Sequence, residues 1–337
     1  RRQRMMGMRD GEQGMKLGGV REARVNVAEH PADQAPILAE IGRLHEDRGS
    51  DPGRAFVAWT RAFVCDPQDD AARGEVDRLA GLLEAWDALI AAYEEALRKS
   101  DDPMLGSRLL GVIARVHDER RGDPRSAIET YERLAAHDQE DLTALDALEA
   151  LHTMVGDWRG LVEVLDRKVE RTYEPEARAE LLRQAASVLE ELLGDPKGAI
   201  VLYQRASDED PSDVIALEAL DRLYASSSND EKLAEVLLRR MEADPDVETR
   251  VELGQRLAQL YETQLDRPHD AIDVFVRVLE MDPQNTPSVT GLGRLYERQA
   301  MWPELLDNLK LRAGLAESST DRVALIHRAG AVTEQHT

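Results

Sequence analysis

The stretch GDPRSAIETYER, residues 122–133, returns 72 positions later as GDPKGAIVLYQR, residues 194–205. Its turn pair stands at Asp51-Pro52, Asp123-Pro124 and Asp195-Pro196, and as Arg267-Pro268 one further step on. Four residues after each Asp (or Arg267) comes Ala55, Ala127, Ala199 or Ala271, and four further on Trp59, Tyr131, Tyr203 or Phe275. Arg61, Arg133, Arg205 and Arg277 follow in register. A second turn begins at Asp66, Asp138, Asp210 and Asp282, and Leu79, Leu151, Leu223 and Leu295 match, as do Leu89, Leu161, Leu233 and Leu305. Trp86, Trp158 and Trp302 also match, with Asp230 in the third copy. Four gapless copies of one pattern describe stacked structural units, not one globular core.

Within a unit the apolar spacing is helical. LLGVIARVHDERRG, residues 109–122, puts Leu109, Leu110, Ile113, Val116 and His117 on one stripe. Asp123 can cap the next helix, and Pro124 suits a first turn, where no backbone donor is missed. Proline also pushes its predecessor out of helical geometry, so the previous helix ends there. Asp69, Asp141, Asp213 and Asn285 repeat the cap before a third helix, and Gly156-Asp157 or Ser228-Asn229-Asp230 breaks the chain before a fourth. Each 72-residue unit therefore reads as four helices, forming two antiparallel hairpins. No strand-like alternation of useful length occurs. Residues 1–31 form a basic, Met- and Gly-containing lead-in with a partial helix from about Leu17 to Val27, and the repeat fills 32–337.

These features resemble paired tetratricopeptide repeats. That family wants a small residue in the first helix of each hairpin, supplied by Gly42, Ala114, Ala186, Ala258 and Gly330. It also wants the small residue and aromatic already noted in the second helix, and an Asp-Pro exit. Helices cross closely only where neither carries bulk. In the second hairpins the same position holds Asp77, Glu149 and Asp221, and only Gly293 conforms, which predicts looser packing there. The resemblance implies an all-α, right-handed α-α superhelical solenoid whose first helices line a groove for a peptide, a helix or a partner domain. Carried over position by position, the groove residues are Arg108, Arg115 and Asp118, then Arg183, Ser187 and Glu190, then Gln255, Gln259 and Glu262. Arg108, Arg115, Arg183, Gln255 and Gln259 are the partner-binding candidates. The set departs from the Lys/Asn pattern by which some members clamp a C-terminal carboxylate.

Composition narrows the function classes. The formal net charge is −23, residues 1–24 contribute +4, and the rest carries −27. So acidic a body repels nucleic acid and anionic membranes and suits basic partners better. No apolar run approaches the roughly 18 residues a bilayer span needs. The single Cys65 excludes an internal disulfide framework and fits a reducing, cytoplasmic setting. No His-Glu-x-x-His, Cys/His metal spacing or phosphate loop is present, so neither an enzyme nor a cofactor is expected. His45 and His117 share a repeat position with Tyr261 and read as packing residues. Residues 320–337 align with the first helix of a hairpin, whose apolar face (Val323, Leu325, Ile326, Ala329, Val332) lacks the partner helix of earlier copies and offers a homo-oligomer contact. The expected function is a protein-interaction scaffold. The alternatives are an end-to-end self-assembling solenoid or a regulatory module of a larger enzyme.

Overall fold

The computed structural model describes residues 21–28, 30–47, 50–138 and 142–336, and all regular structure among them is helical. The cap expected at Asp141 and the lead-in before residue 21 lie outside the described residues. The Asp-Pro pairs start helices. Asp51, Asp123 and Asp195 hold non-helical backbone (φ −118°, −108° and −109°), and their carboxylates accept the amide N–H of Arg54, Ser126 and Gly198. Proline then occupies the first turn of the 14-residue helices α3 (Pro52–Cys65), α7 (Pro124–His137), α11 (Pro196–Glu209) and α15 (Pro268–Met281). Arg267 makes no side-chain cap for α15; its guanidinium bonds Asp270 at 2.7 Å and lies 4.8 Å from the centre of the Tyr261 ring. Asp123→Ala is expected to lower the urea unfolding midpoint by removing the cap, whereas Arg267→Ala removes no cap and should lower it less.

The chain divides into two compact units, residues 1–164 and 165–337. The first holds α1 (21–27), α2 (Pro31–Asp47), α3, α4 (Asp70–Leu83), α5 (Trp86–Lys99), α6 (Pro103–Arg115), α7 and α8 (Thr143–Val155). The division falls inside α9 (Trp158–Arg171). The second unit continues with α10 (Pro175–Ser187), α11, α12 (Val214–Ser226), α13 (Asp230–Ala243), α14 (Val247–Thr263), α15, α16 (Thr286–Arg298), α17 (Trp302–Leu315) and α18 (Ser319–His336). From α2 to α7 and from α10 to α18, helices that follow one another in sequence pack together, as hairpins joined by short turns require. One feature was not foreseen: α6 and α10 each run into a single π-helical turn, Val116–Arg120 and Val188–Leu192.

The small positions do what close crossing demands. Ala55, Ala127, Ala199 and Ala271 are fully buried, as are Ala114, Ala186 and Ala258. In the first unit Leu38, Trp59, Phe63, Leu79, Tyr93 and Leu109 share one core cluster, and Leu110, Tyr131, Leu148 and Val164 another. The second unit has one large cluster from Val169 to Leu295, and a small one of Leu305, Leu309 and Val332 under α18. His117 is buried, as its repeat position implies, and desolvation pushes its imidazole pKa down.

The acids at the second-hairpin small positions are engaged groups. Tyr93 donates its hydroxyl to Asp77 at 2.8 Å. Asp221 is 5% exposed and lies between Arg240 and Arg256. Polar bonds stand at these two sites where the family pattern has close crossing, and the helices of hairpins α4–α5 and α12–α13 touch each other less than those of α2–α3 and α10–α11, as the sequence predicts.

The recurring arginines have a shared role. Arg61 pairs with Glu22 at 2.9 Å, Arg133 with Glu94 at 2.6 Å and Arg205 with Asp166 at 3.1 Å, in each case 39 residues back. Before Arg277 that register holds Leu238, and the guanidinium turns to Glu242, one helical turn on, at 3.2 Å. Hydrogen bonds from Arg133 hold the Glu94 carboxyl below the usual carboxylate range. Such surface pairs contribute about 0–1 kcal/mol each, so they fix the register between neighbouring hairpins more than they stabilise it. No helix among the described residues is long and apolar enough to cross a membrane.

Candidate functional site

Helices α6, α10 and α14 carry the candidate partner-binding residues, spaced so that each set shares one helix face. On α6, Arg108 lies 3.8 Å from Asp70 and is half exposed. One to two turns later Arg115 donates through Nε to the Gly111 carbonyl at 3.3 Å and pairs with no carboxylate among the described residues. Arg115 lines a cleft of about 360 Å³ within the first unit, with Asp77, Trp86, Leu89, Val112 and Glu119. Arg120 closes its edge, 5.4 Å from the centre of the Trp86 ring. Burial pushes the Asp77 carboxyl above its ordinary range, opposed by the Tyr93 hydroxyl and more weakly by Arg73 and Arg115.

Arg183 on α10 is consumed by the fold. Its guanidinium pairs with Glu180 and, at 2.9 Å, with Asp213, which is itself buried. On α14, Gln255 donates to Asn285 Oδ1 at 2.7 Å, the same oxygen that caps α16 by accepting from the Ser288 amide. The Gln259 side chain has no hydrogen-bond partner among the described residues. Both glutamines line a cleft of about 510 Å³ within the second unit, floored by Phe275 and bordered by Thr286, Thr290 and Arg294. The five candidates thus differ in kind: Arg115 and Gln259 are free at clefts, Arg108 is loosely paired, and Arg183 and Gln255 are structural. Sequence reasoning missed Trp86 as a cleft wall, because a repeat-register aromatic reads as core, whereas Phe275 is core, 6% exposed, and only floors its cleft.

The acidic end of the same faces carries a second ladder. Glu46 pairs with Arg78, Glu190 with Arg222, and Glu262 with Arg294, each 32 residues apart and on the first helices of successive hairpins. Arg222 and Arg294 each make two bonds, the longer ones at 3.1 and 2.8 Å. In the remaining copy the positions hold Asp118 and Ala150, and Asp118 has no ion pair among the described residues. No group of three or more His, Cys, Asp and Glu placed to hold a metal ion occurs among the described residues. What these surfaces offer is hydrogen bonding, charge pairing and aromatic contact.

Each unit is a helical repeat array. No protein-family model and no curated protein sequence matches the chain. Among solved structures it is similar to the P58(IPK) TPR domain, at 14% identity over 97% of this chain and 99% of that one, with a TM-score of 0.27. It is also similar to YrrB, described as a TPR protein with an unusual peptide-binding site, at 14% identity over 59% and 96%, with a TM-score of 0.30. MamA from Desulfovibrio magneticus RS-1 matches at 20% identity over 53% and 97%, with a TM-score of 0.29. Superpositions this loose leave the fold to be judged from the chain's own repeats.

Proposed function

We propose that residues 32–337 are a protein-interaction scaffold that holds a peptide, a helix or a partner domain against the faces of the first helices. The observation that carries this reading is the Arg115 guanidinium, bonded only to its own helix, and the unbonded Gln259 amide, each beside an aromatic ring in an open cleft. Polar groups that the fold does not use, next to apolar surface, are what a recognition site needs. The net charge of −23 disfavours nucleic acid as the ligand. Affinity capture with Arg115→Glu, quantified by mass spectrometry, tests the assignment. At least one captured protein should fall about fivefold or more, while Arg125→Glu, an exposed change on α7, leaves capture intact. Capture by Arg115→Glu equal to that of the unaltered chain would remove the site.

A second reading, end-to-end self-association, is favoured by one observation: Val323 and Ile326 on α18 are 54% and 58% exposed. Light scattering across a concentration series decides it, and a mass that stays at 37.7 kDa rejects it.

A further inference from the structure

Resting on the scaffold reading, we infer that the Asp118–Ala150 position receives an arginine side chain from a basic segment of the bound protein. The repeat supplies its own controls. At three of the four equivalent places a glutamate on one first helix is met by an arginine 32 residues later: Glu46 by Arg78, Glu190 by Arg222, and Glu262 by Arg294. The carboxylates are sheltered there, with side-chain exposures of 27%, 13% and 8%. A sheltered carboxylate that has lost part of its water needs a cation. At the fourth place the acid persists as Asp118, half-buried, while the arginine is replaced by the exposed Ala150.

None of the cations near Asp118 pairs with it among the described residues. Arg115 bonds its own helix at Gly111, Arg120 lies over Trp86, and Arg121 pairs with Asp87 at 3.2 Å. Asp118 has no hydrogen bond or ion pair among the described residues. The repeat thus leaves at this place a carboxylate whose arginine this chain does not supply. Arginine fits better than lysine, because Arg222 and Arg294 fill the equivalent places with two bonds to one carboxylate. Asp118 is one methylene shorter than the glutamates, so only a long side chain reaches it. The net charge of −23 draws a basic segment toward the surface before contact is made.

The test uses the full chain and fluorescein-labelled hexa-arginine and hexa-lysine peptides, followed by anisotropy in 150 mM salt. Ala150→Arg fills the place from within, as in the other copies. Asp118→Asn removes the negative charge and leaves one acceptor oxygen in place of two. Glu129→Gln makes the same change of one charge at an exposed position on α7 and serves as the control. Both site variants should bind hexa-arginine about fivefold more weakly or worse, with Glu129→Gln within about twofold. Hexa-arginine should bind the unaltered chain more tightly than hexa-lysine. Unchanged binding by Ala150→Arg, or an equal loss in Glu129→Gln, overturns the inference, the latter by showing a diffuse field only. Circular dichroism melts confirm that the variants fold; should Ala150→Arg not fold, Asp118→Asn decides alone. Failure of the scaffold reading shows separately, in unchanged capture by Arg115→Glu. A capture loss there with unaltered peptide binding by Ala150→Arg overturns only the present inference.

Discussion

Asp221→Ala is expected to destabilise the unit 165–337 by about 3 kcal/mol, although the family pattern asks for a small residue at that position. Asp221 on α12 is 5% exposed and ties three helices. Arg240 from α13 reaches its Oδ2 at 2.5 Å, and Arg256 from α14 spans both oxygens at 2.9 Å each. Removing the anion leaves Arg240, whose side chain is 11% exposed, with only Glu218 at 2.8 Å, and Glu218 is 55% exposed. The Arg240 Nε already lacks a partner, so the site has no spare acceptor to rearrange onto. Removing one member of a buried pair costs about 3–5 kcal/mol; the half-exposed Arg256 keeps access to water and places the result at the lower end. Urea unfolding measures it as a lower midpoint at unchanged slope. Adding Arg240→Met should recover most of the loss, because the double variant buries no unpaired charge. An unchanged midpoint in Asp221→Ala would show that close helix crossing, and not the charge network, governs this hairpin.

The contrast between Asp221 and Ala127 shows what was legible in the sequence. A helix cap, a proline at a first turn or a small residue at a crossing acts through its own few neighbours in the chain. Such a feature repeats whenever its local geometry repeats, and Asp51, Asp123 and Asp195 could therefore be assigned by inspection. A residue's role across helices depends on what the next hairpin presents. Arg183 and Arg115 both read as groove cations, yet Asp213 and Glu180 bind the first and nothing comparable meets the second. The arginine ladder was visible as a repeat at Arg61, Arg133, Arg205 and Arg277, but its purpose was not. The acceptors lie 39 residues earlier, and the fourth copy changes acceptor from the Leu238 register to Glu242. The π-helical turns at Val116–Arg120 and Val188–Leu192 left no signal in apolar spacing, because each ends its helix and no further turn follows to show a displaced stripe. Of the candidate site, the helix faces were legible, whereas the division into free and consumed side chains was not.

Gly42→Ala is expected to cost up to about 2 kcal/mol, even though alanine occupies the equivalent position at Ala114, Ala186 and Ala258. The reason lies across the hairpin. A Cβ added at Gly42 would stand 2.6–2.8 Å from Nε1, Cδ1 and Cε2 of Trp59, whose ring is buried at 2% exposure. These are atoms of a rigid ring held in a filled core, not the tip of a flexible side chain, so backbone or ring must shift. Alanine returns about 1 kcal/mol through its better helix propensity, against about 1–3 kcal/mol of overpacking. In the other copies the aromatic is smaller: Ala114 shares a cluster with Tyr131, and Ala186 and Ala258 share one with Tyr203 and Phe275. Small residue and aromatic therefore vary as a pair, glycine with tryptophan and alanine with tyrosine or phenylalanine. Trp59→Tyr alone opens a void and should cost about 1–2 kcal/mol. In the Gly42→Ala background the same change relieves the clash and rebuilds the pair used at Ala114 and Tyr131. The double variant should then be more stable than the sum of the single losses by about 1 kcal/mol or more. Strict additivity in that cycle would mean that the two residues pack independently, and the pairing rule would fall with it.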